Sequence, residues 1–305
     1  MKRIILSLLI SAAALAGCSK SGNEPGNPET AGDKTPIVLS AGIPTATVTP
    51  DSRASVETGT QFTAGAAGWE TAGTAVYSDA ETWYTTASVT ASTTAQPVTL
   101  AAPQVYHAND NIKTYMKAWY PAGAPAGGKV TFSNTDGTVD ALLAGEVAGS
   151  KRDNTGKVLQ FAHKTTQLKF KAVADASLAA GTTVDKITVL NAQLPTGFDL
   201  AADAVTYAQA APLTVPGLDT PVEITTTAAD AGAPVMIKPM TGNTVTLRIE
   251  TSAATFDNVV ATIADDTDFK EGKAYTITLT FKQQSLNLTA TVAEWTQSSG
   301  SAEVE

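Results

Sequence analysis

The chain has 305 residues and a formal net charge of −9, from 20 basic and 29 acidic side chains. An acidic chain repels the phosphate backbone, which excludes nucleic acid as a partner. The length predicts about two domains. Cys18 is the one cysteine, so no intrachain disulfide can form.

Residues 1–17 have the order of a secretory signal peptide, with Lys2 and Arg3 before an apolar run and small residues at its end. The apolar run is too short to span a membrane. The segment from Leu15 through Gly17 to Cys18 resembles a bacterial lipobox. We therefore predict cleavage between Gly17 and Cys18 and acylation of Cys18, in preference to a free thiol or an intermolecular bridge, giving an outer-membrane lipoprotein.

Residues 18–35 follow as a predicted flexible, lipidated tether. Residues 19–29 contain no apolar side chain, so the segment has nothing to bury. As a coil it would average roughly 20–25 Å between its ends. That distance holds the body of the protein clear of the lipid headgroups.

From Pro36 onward, apolar residues alternate with polar ones, and Gly, Pro, Asn and Asp bound the runs. This pattern is typical of half-buried antiparallel strands. It predicts an all-β chain of two tandem antiparallel β-sandwich domains, residues 36–158 and residues 159–305. The Ala- and Thr-rich stretches 85–95 and 201–211 are predicted to be surface loops. Predicted strands are 37–43, 113–120, 129–132, 158–162, 168–173, 186–190, 222–226, 245–249, 275–282 and 286–295.

The sequence offers little catalytic chemistry. A Ser-His-Asp set would have to use His107 or His163, and neither histidine lies in a nucleophile-elbow or zinc-ligand spacing. A structural role is favoured for both. We therefore predict a non-enzyme with no catalytic residue, no metal and no cofactor.

Two further features have alternative interpretations. The acidic run 265–268 could bind calcium, but it lacks the glycine and terminal glutamate of an EF-hand loop, which favours a solvated hairpin. Trp69, Trp83 and Trp119 could form a platform for sugars, although buried tryptophans are commoner in β-sandwiches.

Several segments in a fixed order behind the lipobox resemble the fimbrillin family, the lipoprotein precursors of protease-matured pili in anaerobic Gram-negative bacteria. The segments are 52–54, 58–62, 76–77, 161–170, 269–281 and 292–295. The resemblance implies transthyretin-like sandwiches, assembly with other fimbrillin subunits on the cell surface, and adhesion to host or bacterial surface ligands. It also implies that an arginine-specific protease removes the lipidated first strand.

Three arginines follow the signal peptide: Arg53, Arg152 and Arg248. Arg248 alternates with apolar residues in a predicted strand, and Arg152 lies in the turn-rich stretch before residue 158, where we place the interdomain loop. Arg53 follows turn-like sequence. Cleavage between Arg53 and Ala54 would release Cys18 and the first strand, although Arg53 could also be an ordinary surface residue.

The predicted displaced strand has one apolar face, formed by Ile37, Leu39, Ala41 and Ile43. Its removal would leave an open groove that a neighbouring subunit could fill by strand addition. The resemblance places the donor near the carboxyl terminus. The candidate donor positions are Leu286, Leu288, Ala290 and Val292.

Three hypotheses remain open. The first is a structural or accessory subunit of fimbriae that assembles by strand exchange. The second is a surface lipoprotein that binds glycans or a host ligand as an unprocessed monomer, in which case residues 285–295 are only the last strand of their own sandwich. The third and weakest is a hydrolase that uses one of the two histidines.

Overall fold

A computed structural model describes residues 34–43, 56–264, 266–283 and 285–294, the last range by its backbone. Gly17, Cys18, Arg53 and Ala54 lie outside these residues. Throughout these ranges the chain forms strands and turns and no helix, which confirms the predicted all-β class. Consequently, no described segment is a helix long and apolar enough to cross a membrane.

The first half contains all four of the strands that the sequence predicts there, among nine strands in total. In chain order they are β1 (Ser40–Gly42), β2 (Gln61–Thr71), β3 (Trp83–Thr90), β4 (Gln96–Pro97), β5 (Thr99–Leu100), β6 (Lys113–Tyr120), β7 (Lys129–Thr131), β8 (Leu142–Gly149) and β9 (Val158–His163).

The strands of the second half follow after one short turn. They are β10 (Thr166–Ala174), β11 (Thr183–Ala192), β12 (Pro195–Asp199), β13 (Ala204–Tyr207), β14 (Ala211–Thr214), β15 (Val222–Glu223), β16 (Ala229–Asp230), β17 (Val235–Ile237), β18 (Thr244–Thr251), β19 (Thr255–Thr262), β20 (Lys273–Lys282) and β21 (Ser285–Glu294).

The first sheet has the order β4-β1-β9-β8-β6-β2-β3-β5. Its strand β2 is rich in alanine and glycine because tryptophan rings lie against it. A Cβ on Gly65 would be 2.6 Å from Nε1 of Trp119, and one on Gly68 would be 2.4 Å from Nε1 of Trp83. A larger residue at either glycine would collide with an indole ring.

The second half forms a sandwich of two sheets around one core. One sheet has the order β16-β10-β20-β21, with β17 also on β10, and the other has the order β14-β11-β18-β19, with β15 also on β11. Alternate residues of β10 and β20 meet those of β11 and β18 in this core. The alternation that the sequence shows at Tyr275, Ile277, Leu279 and Phe281 is therefore the buried face of β20.

A small fourth sheet, β13-β12-β7, covers the opposite face of the first sheet. Lys117 of β6 is almost buried there. Its Nζ donates hydrogen bonds to the carbonyl oxygen of Leu200 at 2.7 Å and to Asp203 Oδ1 at 2.9 Å, and it lies 4.2 Å from the centre of the Tyr77 ring. The lysine thus ties the loop after β12 to β6.

Strand β9 begins where the sequence was divided into two domains. It pairs with β8 and with β1, so residues 158–163 belong to the first sheet, and residues 150–157 connect β8 to β9 in a hairpin. The strands from β10 onward form the sandwich of the second half and, together with β7 of the first half, the small sheet. The division into domains 36–158 and 159–305 stays a prediction.

Both predicted loops are wrong in part. Residues 85–90 lie in β3, and residues 204–207 form β13. In β3, small and hydroxylated side chains serve as strand residues because they pair with the small residues of β2, with Ala64 opposite Ala87 and Gly65 opposite Thr86. The small residues that made this stretch resemble a loop in the sequence are therefore the residues that pack closely against β2.

Candidate strand-exchange site

The segment 35–43 is hydrogen-bonded along both of its edges. On one side, Ile37 N donates to Gln104 O at 2.8 Å and Ile43 N donates to Ser92 O at 2.7 Å. On that same side, β1 runs antiparallel to β4, with Ala41 opposite Gln96. On the other side, β1 runs parallel to β9, with Ala41 opposite Leu159. The segment therefore closes a gap between β9 and residues 92–106.

The alternation predicted for this segment is present as burial. Ile37 is 6% exposed, Leu39 is 2%, and Ala41 and Ile43 are both 0%, while Val38 is 65% exposed. The four buried side chains belong to the first hydrophobic core, together with Phe62 and Phe161 among others. The segment is thus an integral part of that core, although β1 itself contains only three residues.

The segment opposite β1 also contains a buried tyrosine. Tyr106 donates its backbone N–H to the carbonyl oxygen of Thr35 at 2.9 Å. Burial first, and then the carboxylate of Asp153, raises the pKa of the Tyr106 hydroxyl to about 12. The ring therefore stays neutral beside the segment at physiological pH.

The described chain resumes at Val56, close after the predicted cleavage site, and it is anchored there. Val56 is buried, and its N–H donates to Oδ2 of Asp140 at 3.3 Å. His163 Nδ1 lies 2.8 Å from the same oxygen, and Thr165 Oγ1 donates to Oδ1 at 3.2 Å. These contacts involve residues on the carboxyl side of Ala54, so cleavage after Arg53 would leave them in the protein.

The contact between His163 and Asp140 argues against a catalytic role for His163. The side chains of His163 and Asp140 are both 0% exposed, so the imidazole has no face toward a substrate. His107 lies in a turn, where its Nδ1 accepts a hydrogen bond from the backbone N–H of Asn109 at 3.0 Å. Both histidines have structural contacts, as the sequence favoured.

The candidate donor lies in β21, at the edge of its own sheet. Leu286 is the register partner of Phe281, Leu288 of Leu279, Ala290 of Ile277, and Val292 of Tyr275. These four partners on β20 are all buried. Because opposed residues in an antiparallel pair share one face, the four donor positions lie on the core face of the second sandwich.

The two described arginines differ in surroundings. Arg152, in the β8–β9 connection, is 82% exposed and forms an ion pair with Asp110 at 2.7 Å. Arg248 lies in β18 between two other strands and contacts Glu250 and Asp257. A protease requires an accessible segment. Arg152 therefore serves as the control position in tests of cleavage at Arg53, whereas Arg248 does not, because its strand is paired on both sides.

The three tryptophans considered for a sugar platform, Trp69, Trp83 and Trp119, do not form an exposed one. Trp119 is 0% exposed and Trp69 is 4%, and their indole N–H groups donate to the carbonyl oxygens of Gly123 and Asp79. Trp83 is half-buried against Gly68. Their contacts are those of core side chains.

Within the acidic run, Asp266 is held by lysines instead of lying free in a hairpin. The Asp266 side chain is 8% exposed and contacts the ammonium groups of Lys270 and Lys273 and the hydroxyl of Tyr275. Burial would raise the pKa of Asp266, but these hydrogen bonds outweigh it and lower the pKa. Within the described ranges, no group of three or more His, Cys, Asp or Glu side chains is arranged to hold a metal ion.

Sequence reasoning missed the opposite wall of the groove. Residues 92–106 supply the second edge through the two-residue strand β4 and isolated hydrogen bonds, for example from Val98 N to Leu39 O at 2.9 Å. No periodic pattern marks such a segment. The alternation at residues 37–43 identified the buried strand, but it did not indicate which elements that strand joins.

Comparison with known proteins gives a family match and solved structures with the same fold. Residues 48–295 match the model of a family described as fimbrillin-like. Comparison with curated proteins found no match.

Two solved structures share the fold. One is a protein proposed to act in cell adhesion from Bacteroides uniformis, which aligns with a TM-score of 0.56 at 17% identity, covering 86% of this chain and 99% of that one. The other, from Bacteroides ovatus and also proposed to act in cell adhesion, aligns with a TM-score of 0.52 at 16% identity, covering 84% and 96%.

Proposed function

Because this chain belongs to the fimbrillin-like family, we propose that it is a structural or accessory subunit of cell-surface fimbriae, assembled by strand exchange and supporting adhesion. In this proposal the protein is exported as a lipoprotein and acylated at Cys18. An arginine-specific protease then cuts between Arg53 and Ala54, and the strand that contains Ile37, Leu39, Ala41 and Ile43 leaves. A neighbouring subunit fills the vacated groove with its β21.

The burial of residues 37–43 between two strand edges carries the proposal. Ile37, Leu39 and Ile43 contribute roughly 5–9 kcal/mol of gross burial, at roughly 1.5–3 kcal/mol each. Removing them would uncover both an apolar groove and unpaired backbone groups of β9 and residues 92–106. Such an edge favours pairing with another strand.

Cleavage explains why exchange would wait for the protease. In the uncut chain, β1 is covalently linked to the groove, and such a covalent link gives it an effective concentration of the order of millimolar. A donor strand on another molecule is far more dilute. Once the link at Arg53 is cut, β1 loses this advantage and the donor can replace it.

Head-to-tail donation then produces a filament, because each subunit would give one strand and accept another through different surfaces. Such heterologous contacts do not close on themselves unless the rotation between subunits forms a ring. The filament would need no cofactor and no catalytic residue of this chain.

The test is to treat the purified precursor with an arginine-specific protease, sequence the new amino terminus and run the product unheated on a denaturing gel. We expect a terminus at Ala54 and a ladder that heating dissolves. Arg53→Lys, which retains the charge, should remain a monomer. Arg152→Lys is the matched control and should form the normal ladder.

A ladder of normal length from Arg53→Lys would exclude Arg53 as the switch. A protein that is cut at Ala54 and yet remains monomeric would exclude self-assembly by strand exchange. It would favour the alternative of a monomeric surface lipoprotein.

A further inference from the structure

Two stretches of the chain that pair with each other contain no charged residue. Residues 35–43 and residues 82–109 include no aspartate, glutamate, lysine or arginine. The second stretch contains β3, β4 and β5 and the segment that pairs with β1. Charged residues make up 16% of the whole chain, so a stretch of 28 residues would be expected to contain about four.

The two stretches together form one outward face with exposed apolar residues. Pro36 is the antiparallel bridge partner of Val105, so their side chains share a face, and Val38 lies two residues along on that face. Ser40 pairs with Pro97 in the same way. Val38 is 65% exposed and Val105 is 40% exposed. Of the four large hydrophobic residues that are exposed within the described ranges, two therefore lie on this face.

We call this surface the uncharged face. Its exposed apolar residues are Pro36, Val38, Pro97, Pro103 and Val105.

The lack of charge on this face contrasts with the rest of the protein, whose formal net charge is −9. The hairpin 150–157, which follows β8, borders the face through a hydrogen bond from Ser40 N to Lys157 O at 3.0 Å. Its Arg152 is paired with Asp110 at 2.7 Å, and its Lys157 is paired with Asp153 at 2.7 Å. An anionic lipid surface repels carboxylates, so an acidic body approaches it with the least repulsion through a face that has none.

The chain also places this face next to the proposed lipid anchor. Lys34 is the first described residue and precedes Pro36 by two positions. It lies 16 positions after Cys18, a length of chain that spans at most about 55 Å. Because the chain enters the body at the edge of the uncharged face, turning this face toward the bilayer demands the least reach from the connecting residues.

We propose that the uncharged face of the uncut, acylated precursor rests on the surface of the lipid bilayer, with Val38 and Val105 among the headgroups. Apolar side chains on the surface of a protein enter this boundary region, where they are partly removed from water. The inference rests on the proposed function, because it requires acylation of Cys18. It adds the lipid surface as a partner of the folded body.

Contact with lipid would link maturation to release from the membrane. In the docked precursor, the outer side of residues 35–43 faces lipid. Cleavage after Arg53 removes Pro36 and Val38 together with the acylated cysteine, while Val105 stays with the body. The body then loses part of its apolar contact at the same moment as its anchor, and the processed subunit leaves the bilayer.

Quenching by labelled headgroups tests the position of the face. The acylated precursor is reconstituted in vesicles of phosphatidylcholine and phosphatidylglycerol that include a lipid with a spin label on its headgroup. Acylation blocks the thiol of Cys18, so one introduced cysteine carries the fluorophore. The label on Val105→Cys should lose most of its fluorescence. The matched controls Val76→Cys and Val260→Cys, at positions that are 54% and 53% exposed, should keep theirs.

A carboxylate on the face separates docking from mere proximity to the anchor. Val38→Asp changes a 65% exposed side chain and leaves the core intact. Combined with the label at position 105, it should abolish the quenching while the protein stays acylated and bound to the vesicles. Val76→Asp, which adds the same charge outside the face, should leave the quenching unchanged. Full quenching in the Val38→Asp protein would overturn the proposal, because the anchor alone would then account for it.

The remaining outcomes separate this inference from the proposed function. Equal quenching at positions 76, 105 and 260 of the acylated protein would exclude docking through this face and leave strand exchange untouched. A signal at position 105 that depends on the number of copies per vesicle, and not on the spin label, would make the face a contact between copies and the lipid proposal wrong.

Mass spectrometry of the same samples examines the premise. If Cys18 carries no acyl group, the lipoprotein part of the proposed function fails and this inference fails with it. If the quenching is as expected but cleaved protein forms no ladder, strand exchange fails while the lipid contact stands.

Discussion

Replacing Leu39 with alanine should destabilise the uncut precursor and leave the assembled polymer unchanged. Leu39 is 2% exposed, so the substitution removes a nearly fully buried side chain from the first core. Leucine-to-alanine changes at such positions cost about 2–5 kcal/mol. At about 2–4 °C per kcal/mol for a domain of this size, the precursor should melt about 4–20 °C lower.

The assay is thermal unfolding of the precursor and of the protease-treated polymer. Val38→Ala is the matched control, because Val38 is adjacent on the same segment but 65% exposed. It should change stability by less than about 0.5 kcal/mol. Since cleavage at Arg53 removes both positions, polymers made from either variant should melt like the wild-type polymer.

Two results would refute this reasoning. Equal shifts for Leu39→Ala and Val38→Ala would mean that the side chain of Leu39 does not stabilise the precursor. A weakened polymer from Leu39→Ala would mean that residues 37–43 remain in the assembled subunit.

Further predictions concern the packing and charges of the two halves. Gly65→Ala should destabilise by about 1–3 kcal/mol in urea titrations, because its Cβ collides with a buried indole, whereas Gly145→Ala, with nothing within 4 Å, should be neutral or slightly stabilising. Lys117→Ala should lower the urea midpoint more than Asp203→Ala, because the lysine is buried and the Asp203 side chain is 54% exposed. The pKa of Asp266 is lowered in the folded state, so its contribution to the free energy of unfolding is complete above the usual carboxyl pKa and is lost as the pH falls through the lowered value. Asp266→Asn should therefore reduce the dependence of the free energy of unfolding on pH in the acidic range.

How much of the fold the sequence predicts depends on what fills the core. Strands such as β18 and β20 bury alternate large apolar residues, so their period of two is visible in the sequence. Strand β2 packs Gly65 and Gly68 beneath indole rings from β6 and β3. Its small residues have no hydrophobic period, and the partners that make them strand residues are distant in sequence.

The candidate site likewise has some features that are visible as local sequence patterns and others that depend on contacts between distant residues. The apolar faces of residues 37–43 and 286–292 are local patterns, and both were predicted from the sequence. The wall that holds residues 37–43 was not, because it is built from single hydrogen bonds of residues 92–106. The hydrogen bond from Val56 to Asp140 spans 84 positions, and no local pattern indicates it.

The two-sided bonding of residues 35–43 gives the proposed filament unequal ends. Every interior subunit would have its groove filled and its last strand given away, so one end of the polymer presents an empty groove and the other an unused strand. A copy that escapes cleavage keeps its groove closed by β1 but can still donate β21 to the open end. It would stop growth there and remain attached to its lipid, so the fraction of uncut copies would set the mean length of the fibres and fix them to the cell.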